Sequence, residues 1–120
     1  MPVTARFASD PFSVVEARQL VQAAVSGCPE SVIEDAALLT SELVSNAVLH
    51  ARTPFEVLVD RANGHVRVTV VDQSPDPPSV QRPAPDEVGG RGLVLVSELS
   101  HRWGFEGSRR GKAVWFELRT

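Results

Sequence analysis

The stretch FEVLVDRANGHVRVTVVD (residues 55–72) decides the fold. Phe55, Val57 and Val59 alternate with polar or variable positions, and Val66, Val68 and Val70 repeat the alternation after Asn63-Gly64. Successive side chains on a strand point to opposite faces, so each run buries one face. Asn-Gly between two such runs is a strong hairpin signal, because tight hairpin turns call on positive φ, which glycine and asparagine adopt most readily. The stretch predicts two antiparallel strands, the second ending at Val71-Asp72.

Upstream, Thr53-Pro54 closes a helix, since the residue before proline disfavours helical backbone. That helix begins at Pro29-Glu30, with an acid at its positive end. Ile33, Ala36, Ala37, Thr40, Leu43, Val44 and Ala47 form its predicted buried stripe. Glu42, Asn46 and His50 form a polar line bordering that stripe, where it can line a cleft. Further back, Val14, Val15, Ala17, Leu20, Val21, Ala24 and Val25 predict a helix reaching about Ser26. Asp10 caps its start, Pro11 takes the first helical position and Gly27 stops it. Val3, Ala5 and Phe7 alternate as a short strand.

Downstream, residues 73–88 read as loop. Five of the nine prolines fall between Pro75 and Pro85, which excludes a regular helix or central strand there. Gly89, Gly90 and Gly92 then open the helix LVLVSELS (93–100). Trp103 and Phe105 begin a strand. GSRRGK (107–112) reads as a turn with Arg109, Arg110 and Lys112 as its solvated tip. Ala113 to Leu118 form the last strand, with Val114, Phe116 and Leu118 on one face. The order β-α-α-β-β-loop-α-β-β predicts an α+β two-layer sandwich: a mixed, mostly antiparallel sheet with helices on one face. Residues 1–120 read as a single domain, and GGRG lacks the G-x-G-x-x-G spacing of a Rossmann fold.

The formal net charge of −3 and pI of about 5.6 argue against direct binding of nucleic acid, which needs clustered Lys and Arg. Cys28 is the only cysteine, so an internal disulfide and two-cysteine metal motifs are excluded. No apolar run nears the ~18 residues of a membrane span. The N-terminal PVTARFASD has no apolar signal-peptide core. The expectation is a cytoplasmic protein without membrane attachment.

Glu42 and Asn46 lie four residues apart, on one helical face. An amide oxygen is a hard ligand suited to magnesium, and a carboxylate one turn away can accept a proton or orient a nucleophile. Asp72 can accept a hydrogen bond from an adenine amino group. A glycine cluster opening a helix offers N–H groups to an anion, and the fork of Arg91 suits oxyanions. Each residue also has an ordinary reading: a solvated helix acid, a turn aspartate, a flexible glycine turn. Their order, Glu42–Asn46, Asp72, Gly90-Arg91-Gly92, is that of a magnesium-nucleotide site.

These residues resemble the GHKL (Bergerat-fold) ATP-binding superfamily, and more narrowly its compact anti-sigma-factor serine kinases and their actinobacterial relatives. The resemblance runs from ARFASDPFSVVEARQLV (5–21) through ELVSNAVLHA (42–51) and the strand ending VVD (70–72) to GGRGLVLVSELSHRWG (89–104) and GKAVWFEL (111–118). ELVSNAVLHA is similar to the family's N-box. The resemblance implies ATP and Mg²⁺ as cofactors, with Glu42 as the catalytic base or water-orienting residue and Asn46 as magnesium ligand. It implies that Asp72 contacts adenine and that Gly90, Arg91, Gly92 and Leu93 cradle phosphates beneath a lid supplied by the proline-rich loop. Ala113 would border the adenine where relatives carry threonine, and DQSPDPP (72–78) replaces the family's D-x-G-x-G. The implied function is that of a regulatory serine/threonine kinase that binds a sigma factor and phosphorylates an anti-sigma antagonist, in a homodimeric assembly. The alternative is a non-catalytic protein-binding module with weak or no ATP binding.

Overall fold

The computed structural model describes residues 2–74 and 92–120. Along them the chain forms β1 (Val3–Phe7), α1 (Phe12–Ala24), α2 (Glu30–Asn46), a π-helical turn (Ala47–Ala51), β2 (Phe55–Ala62), β3 (His65–Asp72), α3 (Gly92–Leu99), β4 (Arg102–Ser108) and β5 (Gly111–Arg119). The strands lie in the order β1-β2-β3-β5-β4, and all four pairings are antiparallel. This is the α+β sandwich expected from the element order.

Local chemistry explains the boundaries. The turn between β2 and β3 falls at Asn63-Gly64 as expected, but only Gly64 takes positive φ (84°); Asn63 does not, so the turn is not the type with both central residues left-handed. The Phe12 amide donates to Asp10 Oδ1 at 2.8 Å, and Pro11 holds φ −55°, already helical. α1 stops at Ala24, two residues before the expected Ser26. There the Arg61 guanidinium donates to the carbonyl oxygens of Ala24 (3.3 Å) and Ser26 (3.1 Å), satisfying acceptors that a helix end leaves open.

The core lies between the helices and one face of the sheet. Phe55, Val57, Val59, Val66, Val68, Val70, Val114, Phe116 and Leu118 meet Val21, Leu39, Val44 and Val96 there. The buried face of α2 is broader than the predicted stripe. Val32 and Leu39 are buried as well, and Ile33 only partly. The helix packs against α1, α3 and the sheet together, so it is covered from more sides than a one-faced surface helix.

GSRRGK is not all turn. Only Arg109 and Arg110 lie between β4 and β5, and Lys112 belongs to β5, directly across from Asp72. Gly111 allows this. Its φ is 143°, and a Cβ there would stand 2.1 Å from the Asp72 carbonyl oxygen.

The other face of the sheet carries a charged cluster. Glu117 is 3% exposed although it lies away from the helices. Arg67 Nε donates to it at 2.9 Å and Arg102 Nε at 3.0 Å, while the Arg67 guanidinium lies 4.0 Å above the Trp115 ring. Burial alone would raise the Glu117 pKa. The hydrogen bonds and positive charges of Arg67 and Arg102 outweigh it and hold the carboxyl below the usual glutamate range.

Candidate functional site

α2 delivers Glu42 and Asn46, both half-buried, on successive turns of one face. The Asn46 Oδ1 atom is buried and has no hydrogen-bond partner among the described residues. Most buried polar atoms are paired, so such an acceptor needs an explanation. Asn46 is also the last α-helical residue. Beyond it the helix widens into the π turn, with the Arg52 amide donating to the Ala47 carbonyl at 2.9 Å. Isolated π turns are frequent at functional sites. Arg52 then takes φ 57°, a left-handed conformation uncommon for a non-glycine residue. His50 sits exposed on this turn.

The turn feeds directly into β2, whose first residue, Phe55, pairs with Asp72. The end of α2 and the end of β3 therefore lie at the same end of the sheet. Thr53 Oγ1 accepts a hydrogen bond from the Gln73 amide at 3.0 Å and ties the two segments. Asp72 is 6% exposed. Its Oδ1 accepts from the Ser74 amide at 2.9 Å, and Lys112 Nζ lies 3.1 Å from Oδ1 and 3.0 Å from Oδ2. The Lys112 side chain is itself 12% exposed.

Directly opposed residues of an antiparallel pair share a face. Asp72 with Lys112, and Val70 with Val114, thus point toward the helices. Ala113 pairs with Val71 and points to the opposite face. Asp72, Lys112 and Ala113 all line a hollow of about 360 Å³ at the end of the sheet, whereas Glu42 and Asn46 do not. Gly92 is the first residue of α3, and Leu93 is buried in the core that also holds Ala47 and Val70. Gly90 and Arg91 lie outside the described residues, as does most of the proline-rich segment expected to form a lid.

The sequence reading missed Lys112 by assigning it to a solvated tip. The usable signal was Gly111, a residue suited to close backbone approach, placed immediately before a strand.

No group of three or more His, Cys, Asp or Glu side chains able to hold a metal occurs among the described residues. The donor set fits magnesium all the same, because that ion often takes only one or two protein ligands together with substrate phosphates and waters. Asn46 Oδ1 is an unclaimed hard donor of this kind. No helix among the described residues is long and apolar enough to cross a membrane.

The fold is an antiparallel α+β sandwich, with Glu42, Asn46 and Asp72 brought to one end of its sheet, and comparison with known proteins gives its family. The profile of the histidine kinase-like ATPase domain matches residues 7–118, and the chain belongs to that family. Among solved structures, the chain is similar to the RsbU and RsbW domains of Rv1364c from Mycobacterium tuberculosis, with 21% identity and a TM-score of 0.77. That match covers 99% of this chain and 32% of the other, so the chain spans about a third of the matched protein. No curated protein matched.

Proposed function

We propose that the chain is an ATP-dependent regulatory serine/threonine kinase of a partner-switching system, binding a sigma factor and phosphorylating an anti-sigma antagonist on serine. Membership of the histidine kinase-like ATPase family and the structural likeness to RsbU and RsbW domains support this reading. The single observation that carries it is the buried, unpartnered Oδ1 of Asn46, one helical turn from Glu42. A cytoplasmic location and a homodimeric assembly belong to the same reading.

In this reading Mg-ATP supplies the phosphoryl group, with Asn46 holding the magnesium and Asp72 accepting from the adenine amino group. Gly90, Arg91, Gly92 and Leu93 hold the phosphates at the start of α3, where a helix terminus favours anions. Glu42 orients the acceptor hydroxyl and takes its proton. Phosphoryl transfer asks little more of a protein than positioning and charge stabilisation.

The test is labelled ATP with a cognate antagonist protein. Glu42→Ala should keep ATP affinity within a few fold and lower transfer by ~10²-fold or more, the scale of a positioned base. Transfer by the variant at the wild-type rate would remove Glu42 from the chemistry. A second reading, a protein-binding module with little use for nucleotide, has one observation in its favour: Lys112 already pairs the Asp72 carboxylate. Absence of ATP binding by the wild type would favour that second reading.

A further inference from the structure

We infer that Lys112 is a base-reading residue, which together with Asp72 recognises the ring-nitrogen and amino edge of adenine. The inference rests on the nucleotide-site reading above and deepens it. Three observations lead to it. Lys112 lies directly across the β3–β5 ladder from Asp72, so both side chains project to the helix-covered face. Its ammonium touches both carboxylate oxygens, at 3.0 and 3.1 Å. Gly111, where any Cβ would collide with the Asp72 carbonyl, brings the two strands close enough to make that contact.

The pair presents more than a closed salt bridge. An ionised carboxylate has about four lone-pair sites, and an ammonium has three donors. Among the described residues, the Ser74 amide and Lys112 occupy Oδ1, and Lys112 contacts Oδ2. Oδ2 therefore keeps an acceptor position, and Nζ keeps at least one N–H that Asp72 does not use. An acceptor beside a donor matches a base edge bearing an amino group beside an unprotonated ring nitrogen. On adenine, the N6 amino group donates to Asp72 Oδ2, and N1 accepts from Lys112 Nζ. Ala113 lines the same hollow but brings no polar atom to this edge, and its methyl group lies on the other face of the sheet.

The same geometry reconciles a pairing that otherwise argues against nucleotide. Burying an ion pair costs desolvation of both charges, and the cost is offset only if their remaining donors and acceptors are satisfied. A base edge satisfies one of each. Lys112 need not leave for adenine to enter.

The test compares ATP with 1-deaza-ATP, in which a C–H replaces N1, by calorimetry on the wild-type protein. Charge-assisted hydrogen bonds are worth roughly tenfold or more in affinity. The wild type should bind 1-deaza-ATP roughly tenfold more weakly than ATP, while Lys112→Met should bind the two alike. Lys112→Gln keeps an N–H donor without the charge and should retain part of the discrimination. Equal binding of ATP and 1-deaza-ATP by the wild type overturns the role of Lys112 and leaves the nucleotide site standing. Binding of neither compound overturns the nucleotide-site reading, and this inference with it. Because the decisive comparison changes the ligand and not the protein, a folding defect in either variant does not blunt it.

Discussion

Replacing Asn46 by leucine should make the free protein more stable and the nucleotide-loaded protein less so. Asn46 Oδ1 is buried without a partner, and leaving a buried acceptor unmade costs about 1–3 kcal/mol. Leucine has the same branching and the same number of side-chain heavy atoms, brings no polar atom, and is the better helix former by about 0.5 kcal/mol. Leucine's methyl groups are bulkier than the amide ends, and overpacking costs about 1–3 kcal/mol, nearer the lower figure here because Asn46 is only half-buried. The net expectation is a gain of about 1–2 kcal/mol, or about 4–8 °C in melting temperature for a domain of this size.

The order should invert with Mg-ATP. A ligand at a hundred times its Kd stabilises the native state by about 2.7 kcal/mol. The wild type should gain that amount, and Asn46→Leu, lacking the metal ligand, should gain far less. Urea unfolding followed by circular dichroism, with and without Mg-ATP, gives all four numbers. A variant less stable than wild type without nucleotide would show that Oδ1 is satisfied in the free protein. An equal gain from Mg-ATP in both proteins would show that Asn46 does not hold the metal. Either result refutes the reasoning.

Gly111→Ala should unfold at markedly lower urea, a loss of several kcal/mol, since its Cβ would stand 2.1 Å from a backbone oxygen at φ 143°. A loss under about 1 kcal/mol would mean that the strands part there at little cost. Stability should also fall in acid through Glu117, whose folded pKa lies below its unfolded value of ~4.3. A depressed carboxyl stabilises fully above the unfolded value, and the contribution disappears as pH falls through the folded one. In Glu117→Gln that component of the acid limb should be absent from unfolding curves between about pH 5 and 2. An unchanged limb would assign the acid sensitivity to other carboxylates.

The parts of the fold legible in the sequence were those governed by local rules. Alternation with Asn63-Gly64 specified β2 and β3, Asp10-Pro11 started α1, and Thr53-Pro54 ended the second helical segment. What escaped depended on partners distant in the chain. Leu39 is fully buried because α1, α3 and the sheet all meet α2, which no pattern within α2 reveals. Glu117 reads as an outward polar residue until register places Arg67 beside it, fifty positions earlier in the chain. Lys112 escaped because GSRRGK is polar throughout, and turn and strand compete there on equal local terms. The π turn at Ala47–Ala51 has no sequence signature at all. Of the candidate site, Glu42, Asn46 and Asp72 stand out by residue type and spacing, whereas Lys112 required the ladder.

The two faces of the sheet divide the labour of building the site. On the helix side, polar groups at one end of the sheet are held in costly states: an unpartnered amide oxygen, a left-handed Arg52, and a buried carboxylate and ammonium. Such features persist only where the surroundings fix them. The fixing element here is register. A slip of one residue between β3 and β5 would turn Lys112 to the opposite face from Asp72. The open-face cluster opposes that slip, because Glu117 on β5 binds Arg67 on β3 and Arg102 on β4 at once. Trp115, two residues from Glu117 on the same face, lies beneath Arg67 and packs so closely on Gly104 of β4 that a Cβ there would sit 2.8 Å from its ring. Three strands are thereby locked in the one alignment that sets Asp72 across from Lys112. The buried Glu117, which takes no part in the proposed chemistry, is in this sense the residue that positions it.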